Sequence, residues 1–279
     1  MASEIEVRPI AGAVGAELHG VNLAGNLPDG TLSDIKAALA EWGVVFFRDQ
    51  TLTPGQHLAF ARHFGPVNVN RFFRAVEGWP MIAEVRKEPQ QKSNIGGGWH
   101  TDHSYDAIPA LGSILHAIEV PEFGGDTMFS SMYAAYDALS DGLKHTLAGL
   151  RAVHSSRHVF GPAAKRAEDM KDRIGNPELA TQDATHPVVI QHPDTGRKAL
   201  YVNPGFTLHF EGWTAEESQS LLSYLYKHAT RPEFTCRFAW RPGSIAFWDN
   251  RTTWHMAIND YHGHRRLMHR ITVEGVALH

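Results

Sequence analysis

The spacing of apolar positions changes several times along the chain, and each change marks an element. In TLSDIKAALAEWG (31–43), Leu32, Ile35, Leu39 and Trp42 recur at helical spacing, and Gly43 stands where a helix C-cap would. The next run, VVFFRDQ (44–50), opens on four apolar residues without alternation and predicts a buried strand. Thr53 and Pro54 then supply an N-cap and a proline at the first helical position, which predicts a helix to about His63. Ahead of these, residues 4–23 alternate and are punctuated by glycine, the pattern of a short strand pair. Residues 65–110 are mostly irregular, interrupted by one strand at MIAEVRKE (81–88). SILHAIEV (113–120) and DTMFSS (126–131) read as strands, and 132–150 returns to a helical pattern.

The second half is richer in strand patterns. HPVVIQH (186–192) and RKALYVN (197–203) flank the turn Pro193-Asp194-Thr195-Gly196 and predict a hairpin. Thr214 and Glu217 make a capping box that opens an amphipathic helix to about His228. TCRFAWR (235–241) and SIAFWDN (244–250), joined by Pro242-Gly243, predict a second hairpin, and RRLMHRITVEG (265–275) the last strand. Residues 161–182, whose charges mostly alternate in sign, are expected to form a helical or irregular excursion on the surface. No repeat or linker divides the chain, so one domain over 1–279 is expected. The strands fall too irregularly among the helices for a βαβ fold. A mainly β, antiparallel sandwich with added helices fits best.

A hydrophobic share of 43% with 20% charged residues is an ordinary globular balance and excludes a disordered chain. With 26 Lys and Arg against 30 Asp and Glu, the formal charge of −4 offers no basic footprint for nucleic acid. No run of 18 apolar residues occurs, so no membrane span is expected, and MASEIEVRPIAG lacks the order of a secretion signal; a cytoplasmic protein is expected. The single Cys236 excludes a disulfide framework and a cysteine-rich zinc site. The 18 histidines point any metal toward imidazole and carboxylate.

His100-Thr101-Asp102 is the leading candidate for such chemistry. Alone it is weak, because chance supplies about one His-x-Asp in a chain with this many of both residues. A second instance, His192-Pro193-Asp194, reads as turn chemistry. The first differs in its setting. In an extended segment residues two apart point the same way, so His100 and Asp102 can face one ion. Gly96-Gly97-Gly98 lets the backbone bend just before them. His255, beyond SIAFWDN, is the candidate third ligand, though a histidine taken singly is more often a surface or hydrogen-bonded residue. Two histidines and one carboxylate leave open positions that suit non-haem Fe(II); the same donors also suit hydrolytic zinc. Arg266, Met268 and Arg270 alternate along the last strand and so share a face. Either they face water, in a basic patch with His262, His264 and Arg265, or two inward guanidiniums match two separate anions.

These positions, at these intervals, resemble the Fe(II)/2-oxoglutarate-dependent dioxygenases of the taurine dioxygenase family, nearly end to end. The signature of that family is His-x-Asp, a Thr or Ser about 25 residues on, a distant His, and an Arg 10–13 residues beyond it. Here 24 residues separate Asp102 from Thr127, and 10 separate His255 from Arg266. GVVFFRDQ, GWHTD, VPEFGGDT, ALYVNPGF, WDNRTTWH and RRLMHR match as well. The resemblance implies a double-stranded β-helix, or jelly roll, with His100, Asp102 and His255 on iron. It implies Arg266 and Thr127 on the distal carboxylate of 2-oxoglutarate, with O2 as the other co-substrate and succinate and CO2 as products. Related halogenases carry Gly or Ala where this chain has Asp102, so the resemblance is to a hydroxylase.

For the primary substrate, the resemblance gives Arg270 to the anionic end of a small organic molecule. Taurine enzymes also use a histidine and a tyrosine after an early Phe-Gly turn, and an asparagine just before the Trp-His. The corresponding text here is Asn68-Val69-Asn70-Arg71-Phe72-Phe73 and Asn94-Ile95-Gly96-Gly97-Gly98-Trp99, and the grip on an amine looks absent. SMYAAYDALS, VHSSRHVFG and ATRPEFTCRFAW look closer to the aryloxypropionate dioxygenase branch. An aryloxyalkanoate-like acid is therefore expected, with Asn70, Phe72, Phe73, Tyr105, Phe160 and Phe206 near it. An alkyl sulfonate or sulfate is the alternative, and a non-catalytic metal-binding jelly roll the rival of another class. A homo-oligomer, dimer or tetramer, is also expected.

Overall fold

The computed structural model describes residues 5–279, so Glu4 of the expected strand pair and the first four residues of the secretion-signal reading lie outside it. A nine-stranded sheet runs in the order Glu6–Pro9, Ala16–His19, Val44–Phe47, Ile245–Asp249, Ala110–Glu119, Arg266–Glu274, Trp79–Lys87 and Ala75–Val76, with Val67–Asn68 also on Arg266–Glu274. Its pairings are antiparallel except that of Ala16–His19 with Val44–Phe47. Facing it is a smaller sheet, with Thr127–Ser131 between Thr235–Phe238 and Thr253–Ala257. The result is a jelly roll with helices outside.

Three apolar layers hold these sheets. Phe46, Phe129, Phe238, Trp248 and Met268 fill the space between the two sheets, with Phe46 stacked on Phe238 at 4.0 Å between centroids. On the far face of the large sheet, Val45, Phe47, Ile114, Phe247 and Ile271 pack with residues of the helices Asp29–Trp42 and Pro54–Arg62. Val44–Phe47 alternates between these two layers, which is why its sequence is apolar without interruption. A third layer, including Tyr201, Phe210 and Trp254, backs the helix Ala215–Ala229. The caps form as expected: Gly43 takes φ 71° and donates to the Leu39 carbonyl, and Thr53–Gln56 and Thr214–Glu217 are capping boxes.

The hairpin around Pro193–Gly196 forms, Val189–Gln191 pairing with Lys198–Leu200. The second expected hairpin does not. Thr235–Phe238 pairs with Thr127–Ser131 in the small sheet, whereas Ile245–Asp249 joins the large one. The Pro242-Gly243 turn carries the chain from one sheet to the other, and cross-sheet packing of Phe238 decides against local pairing. The helical stretch 132–150 is two short helices, Met132–Asp137 and Asp141–Leu147, the second capped by Ser140. Residues 161–182 are irregular and largely exposed, as expected, with 3-10 turns at Glu168–Met170 and Pro177–Leu179. They fold back as a flap in which Arg173, only 3% exposed, donates to the carbonyls of Asp169, Arg86 and Ser93. Asp169 in turn accepts the backbone N–H groups of Lys92 and Ser93.

Candidate active site

His100 and His255 come from distant parts of the chain and meet as a backbone pair. Each donates its N–H to the other's carbonyl, at 3.1 and 2.8 Å. Directly opposed residues of an antiparallel ladder project to the same side, and the two imidazole centroids lie 4.1 Å apart. Asp102 follows two residues on, its Oδ1 3.7 Å from His100 Nε2 and its Oδ2 3.9 Å from His255 Nε2. One donor atom from each residue lies within 4.8 Å of the others. Gly205 allows this approach, since a Cβ there would sit 2.7 Å from the Cβ of His100.

The donor states fit a divalent cation. His100 Nδ1 lies 2.8 Å from the Gly98 carbonyl, which can only accept, so Nδ1 carries the proton and Nε2 keeps its lone pair. Burial lowers the pKa of both imidazoles and favours the neutral, ligating form. Burial would by itself raise the Asp102 pKa, but the Arg270 guanidinium, ahead of the nearby histidines, holds the carboxyl well below the usual range. Arg270 Nη1 is 3.2 and 3.3 Å from the two Asp102 oxygens, and the Ser113 hydroxyl donates to Oδ2 at 2.8 Å. Two neutral nitrogens and one anionic oxygen, all on one side, are the donor set of a mononuclear metal with open positions.

These donors lie on a cavity of about 590 Å³. At one part of its wall is Arg266, 5% exposed, whose Nε and Nη2 are buried without partners among the described residues. Beside it, Thr127 Oγ1 accepts the Trp240 indole N–H at 3.0 Å, which leaves the Thr127 hydroxyl proton free to be given away. Arg270 lines the same cavity, its guanidinium 4.7 Å from the Phe73 ring centroid. Beyond it the wall is apolar: Tyr105, Phe160 and Phe206, then Ile95, Val159 and the flap residues Met170 and Ile174. Asp102 is the one carboxylate among the lining residues.

Of the twelve residues singled out in the sequence, ten line this cavity. Asn70 and Phe72 do not. Asn70 Oδ1 accepts the N–H groups of Phe72 and Phe73 and so caps a turn, and Phe72 stacks behind Phe160 at 4.2 Å. The second His-x-Asp is turn chemistry, as read. His192 Nδ1 accepts the N–H groups of Asp194 and Thr195, and its Nε2 meets buried Asp249. Sequence reasoning passed over Trp240, Ser113 and Asn250. A usable signal existed for Ser113, a lone hydroxyl on the strand face that it shares with Leu115 and Ala117.

Comparison with known proteins agrees with this geometry. The family model "Taurine catabolism dioxygenase TauD, TfdA family" matches residues 6–272. An alkylsulfatase of Acinetobacter baylyi is 36% identical over 98% of this chain and 86% of its own length. The (S)-phenoxypropionate/alpha-ketoglutarate-dioxygenase of Sphingobium herbicidovorans is 34% identical over 92% of this chain and 90% of its own. A crystal structure of a taurine dioxygenase from Burkholderia xenovorans superposes with a TM-score of 0.84 at 38% identity, covering 99% and 93% of the two chains. The chain therefore belongs to the TauD/TfdA dioxygenase family and is an enzyme that uses Fe(II), 2-oxoglutarate (alpha-ketoglutarate) and dioxygen.

Proposed function

We propose that His100, Asp102 and His255 hold the iron, that Arg266 and Thr127 bind the distal carboxylate of 2-oxoglutarate, and that Arg270 takes an organic anion with an apolar body. The observation that carries this reading is Arg266. A guanidinium buried with two free donors is costly unless an anion completes it. It shares its strand face and its cavity with Arg270, four residues or ~13 Å along the strand, which suits two anions side by side. A zinc hydrolase or a metal-binding scaffold needs neither arginine.

When bound, the iron supplies the redox chemistry that couples 2-oxoglutarate and dioxygen to attack on a C–H bond, with succinate and CO2 released. The chain does the positioning. Gly98 keeps the His100 tautomer, and Ser113 and Arg270 orient Asp102. Arg266 and the Thr127 hydroxyl aim their donors at the co-substrate carboxylate, and Met170 and Ile174 cover the far end against water.

An aryloxyalkanoate-like acid fits best. Tyr105, Phe160 and Phe206 present edges and faces to one another at 4.8–6.1 Å, a lining able to add ~0.5–1.5 kcal/mol per aromatic contact beyond burial. A small alkyl sulfate or sulfonate is the second reading, supported by the aliphatic Ile95, Val159, Met170 and Ile174 and by the similarity to an alkylsulfatase. Taurine itself would bring an ammonium to a wall whose single carboxylate is already paired with Arg270, at ~1–3 kcal/mol per unmet donor. Succinate release from 2-oxoglutarate, measured across aryloxy acids, alkyl sulfates and taurine, tests this. Coupled turnover should be strongest with the aryloxy acids. Efficient release of sulfite from taurine would refute the reading of the pocket.

A further inference from the structure

We propose that Ser113 and Asn250 are positioning residues for the metal site, acting through Asp102; the inference rests on the assignment of His100, Asp102 and His255 as ligands. Ser113, fully buried on the Ala110–Glu119 strand, donates its hydroxyl to Asp102 Oδ2 at 2.8 Å. Asn250, also buried, follows the strand Ile245–Asp249. Its amide orientation is fixed by Trp248, whose indole N–H can only donate and points at Asn250 Oδ1 at 2.8 Å. The Nδ2 group must then face Ser113 Oγ, 3.2 Å away.

The direction of each bond follows. An amide donating into Ser113 Oγ turns the one hydroxyl proton of Ser113 away from Asn250 and onto the carboxylate. Donation therefore runs from Trp248 to Asn250, to Ser113, and ends on Asp102. The same asparagine fixes the ligand loop. Its carbonyl accepts the Thr101 hydroxyl, and its Oδ1 lies 3.4 Å from the Asp102 N–H. Trp248 also packs against His255 at 4.6 Å between centroids, so the relay touches two of the three ligands. Partners of this kind, which orient a ligand without touching the metal, commonly carry a ten- to hundredfold share of metal affinity.

The test is Mn(II) titration of the metal-free protein, with thermal unfolding measured alongside. Ser113→Ala should bind Mn(II) about 10- to 100-fold more weakly than wild type, and Ser113→Thr, which keeps the hydroxyl, should bind close to wild type. Asn250→Asp, near-isosteric but no longer a donor to Ser113, should lose affinity as Ser113→Ala does, and it decides the matter if the alanine variant does not fold. Wild-type affinity in Ser113→Ala or Asn250→Asp, or equal loss in the alanine and threonine variants, would overturn the relay. Asp102→Ala is the control. Undiminished Mn(II) binding there would overturn the ligand assignment itself, whereas loss there with none in the relay variants would overturn the relay alone.

Discussion

Arg266 carries two buried guanidinium donors that nothing among the described residues satisfies, and beside it Thr127 has a hydroxyl proton to give. Replacing Arg266 by Lys keeps the charge and removes the planar fork. The loss of one charge-assisted bond, ~1.5–3 kcal/mol, corresponds to a rise in KM for 2-oxoglutarate of about ten- to hundredfold. Steady-state kinetics check this, and a change confined to KM for the organic substrate would exchange the roles of Arg266 and Arg270. At this scale much of the site was legible in the sequence. The alternation of Arg266, Met268 and Arg270 places all three on the inward face, with Met268 in the core between the sheets and both arginines on the cavity. Asn70 and Phe72 were misplaced for a local reason: proximity in sequence to Phe73 says nothing about which member of a turn caps it and which faces inward.

The flap shows what charge pattern alone does not reveal at the scale of an element. Alternating signs over 161–182 suggest a solvated excursion, yet Arg173 and Asp169 spend their polar groups on the backbone of 86–93, which docks Met170 and Ile174 onto the cavity. Arg173→Ala should therefore raise KM for the organic substrate severalfold and increase succinate formed without hydroxylated product, while leaving 2-oxoglutarate affinity near wild type. Product-to-succinate ratios measure it, and fully coupled turnover in the variant would count against the flap as a cover.

The outer layer of the large sheet makes a second element-scale prediction. His57, on the Pro54–Arg62 helix, packs against His116 of the large sheet at 5.6 Å, with His269 paired across to His116 and Glu84. Burial pushes the pKa of His57 down to about 3 and that of His116 to about 4. The unfolded chain binds protons near pH 6.5 that the folded chain refuses, so stability is full above that pH and falls as pH drops toward 4. Each histidine contributes about 1.4 kcal/mol per pH unit in that window. His57→Phe should flatten the acid limb of a plot of Tm against pH between 6.5 and 4, and an unchanged slope would remove His57 as a cause.

At the scale of the molecule, the jelly roll brings residues about 150 positions apart into one backbone pair, His100 opposite His255, and puts both arginines of the last strand into the same cavity. Element types were largely readable from periodicity, but the sheet partner of each strand was not. TCRFAWR and SIAFWDN look like a hairpin because their turn is good, and they separate because burying Phe238 against Phe46 across the sandwich outweighs pairing with the next strand. Only long-range packing carries that information. Among the described residues no helix is long and apolar enough to cross a membrane.

In the proposed site, His100, Asp102 and His255 present iron to 2-oxoglutarate held by Arg266. Anaerobic addition of 2-oxoglutarate to the Fe(II)-loaded chain, followed by visible absorption, tests it most directly. The wild type should develop a weak charge-transfer band that saturates at one 2-oxoglutarate per chain. The band should vanish in Asp102→Ala and need far more 2-oxoglutarate in Arg266→Lys. A full band in Asp102→Ala, or no band in the wild type, would contradict it.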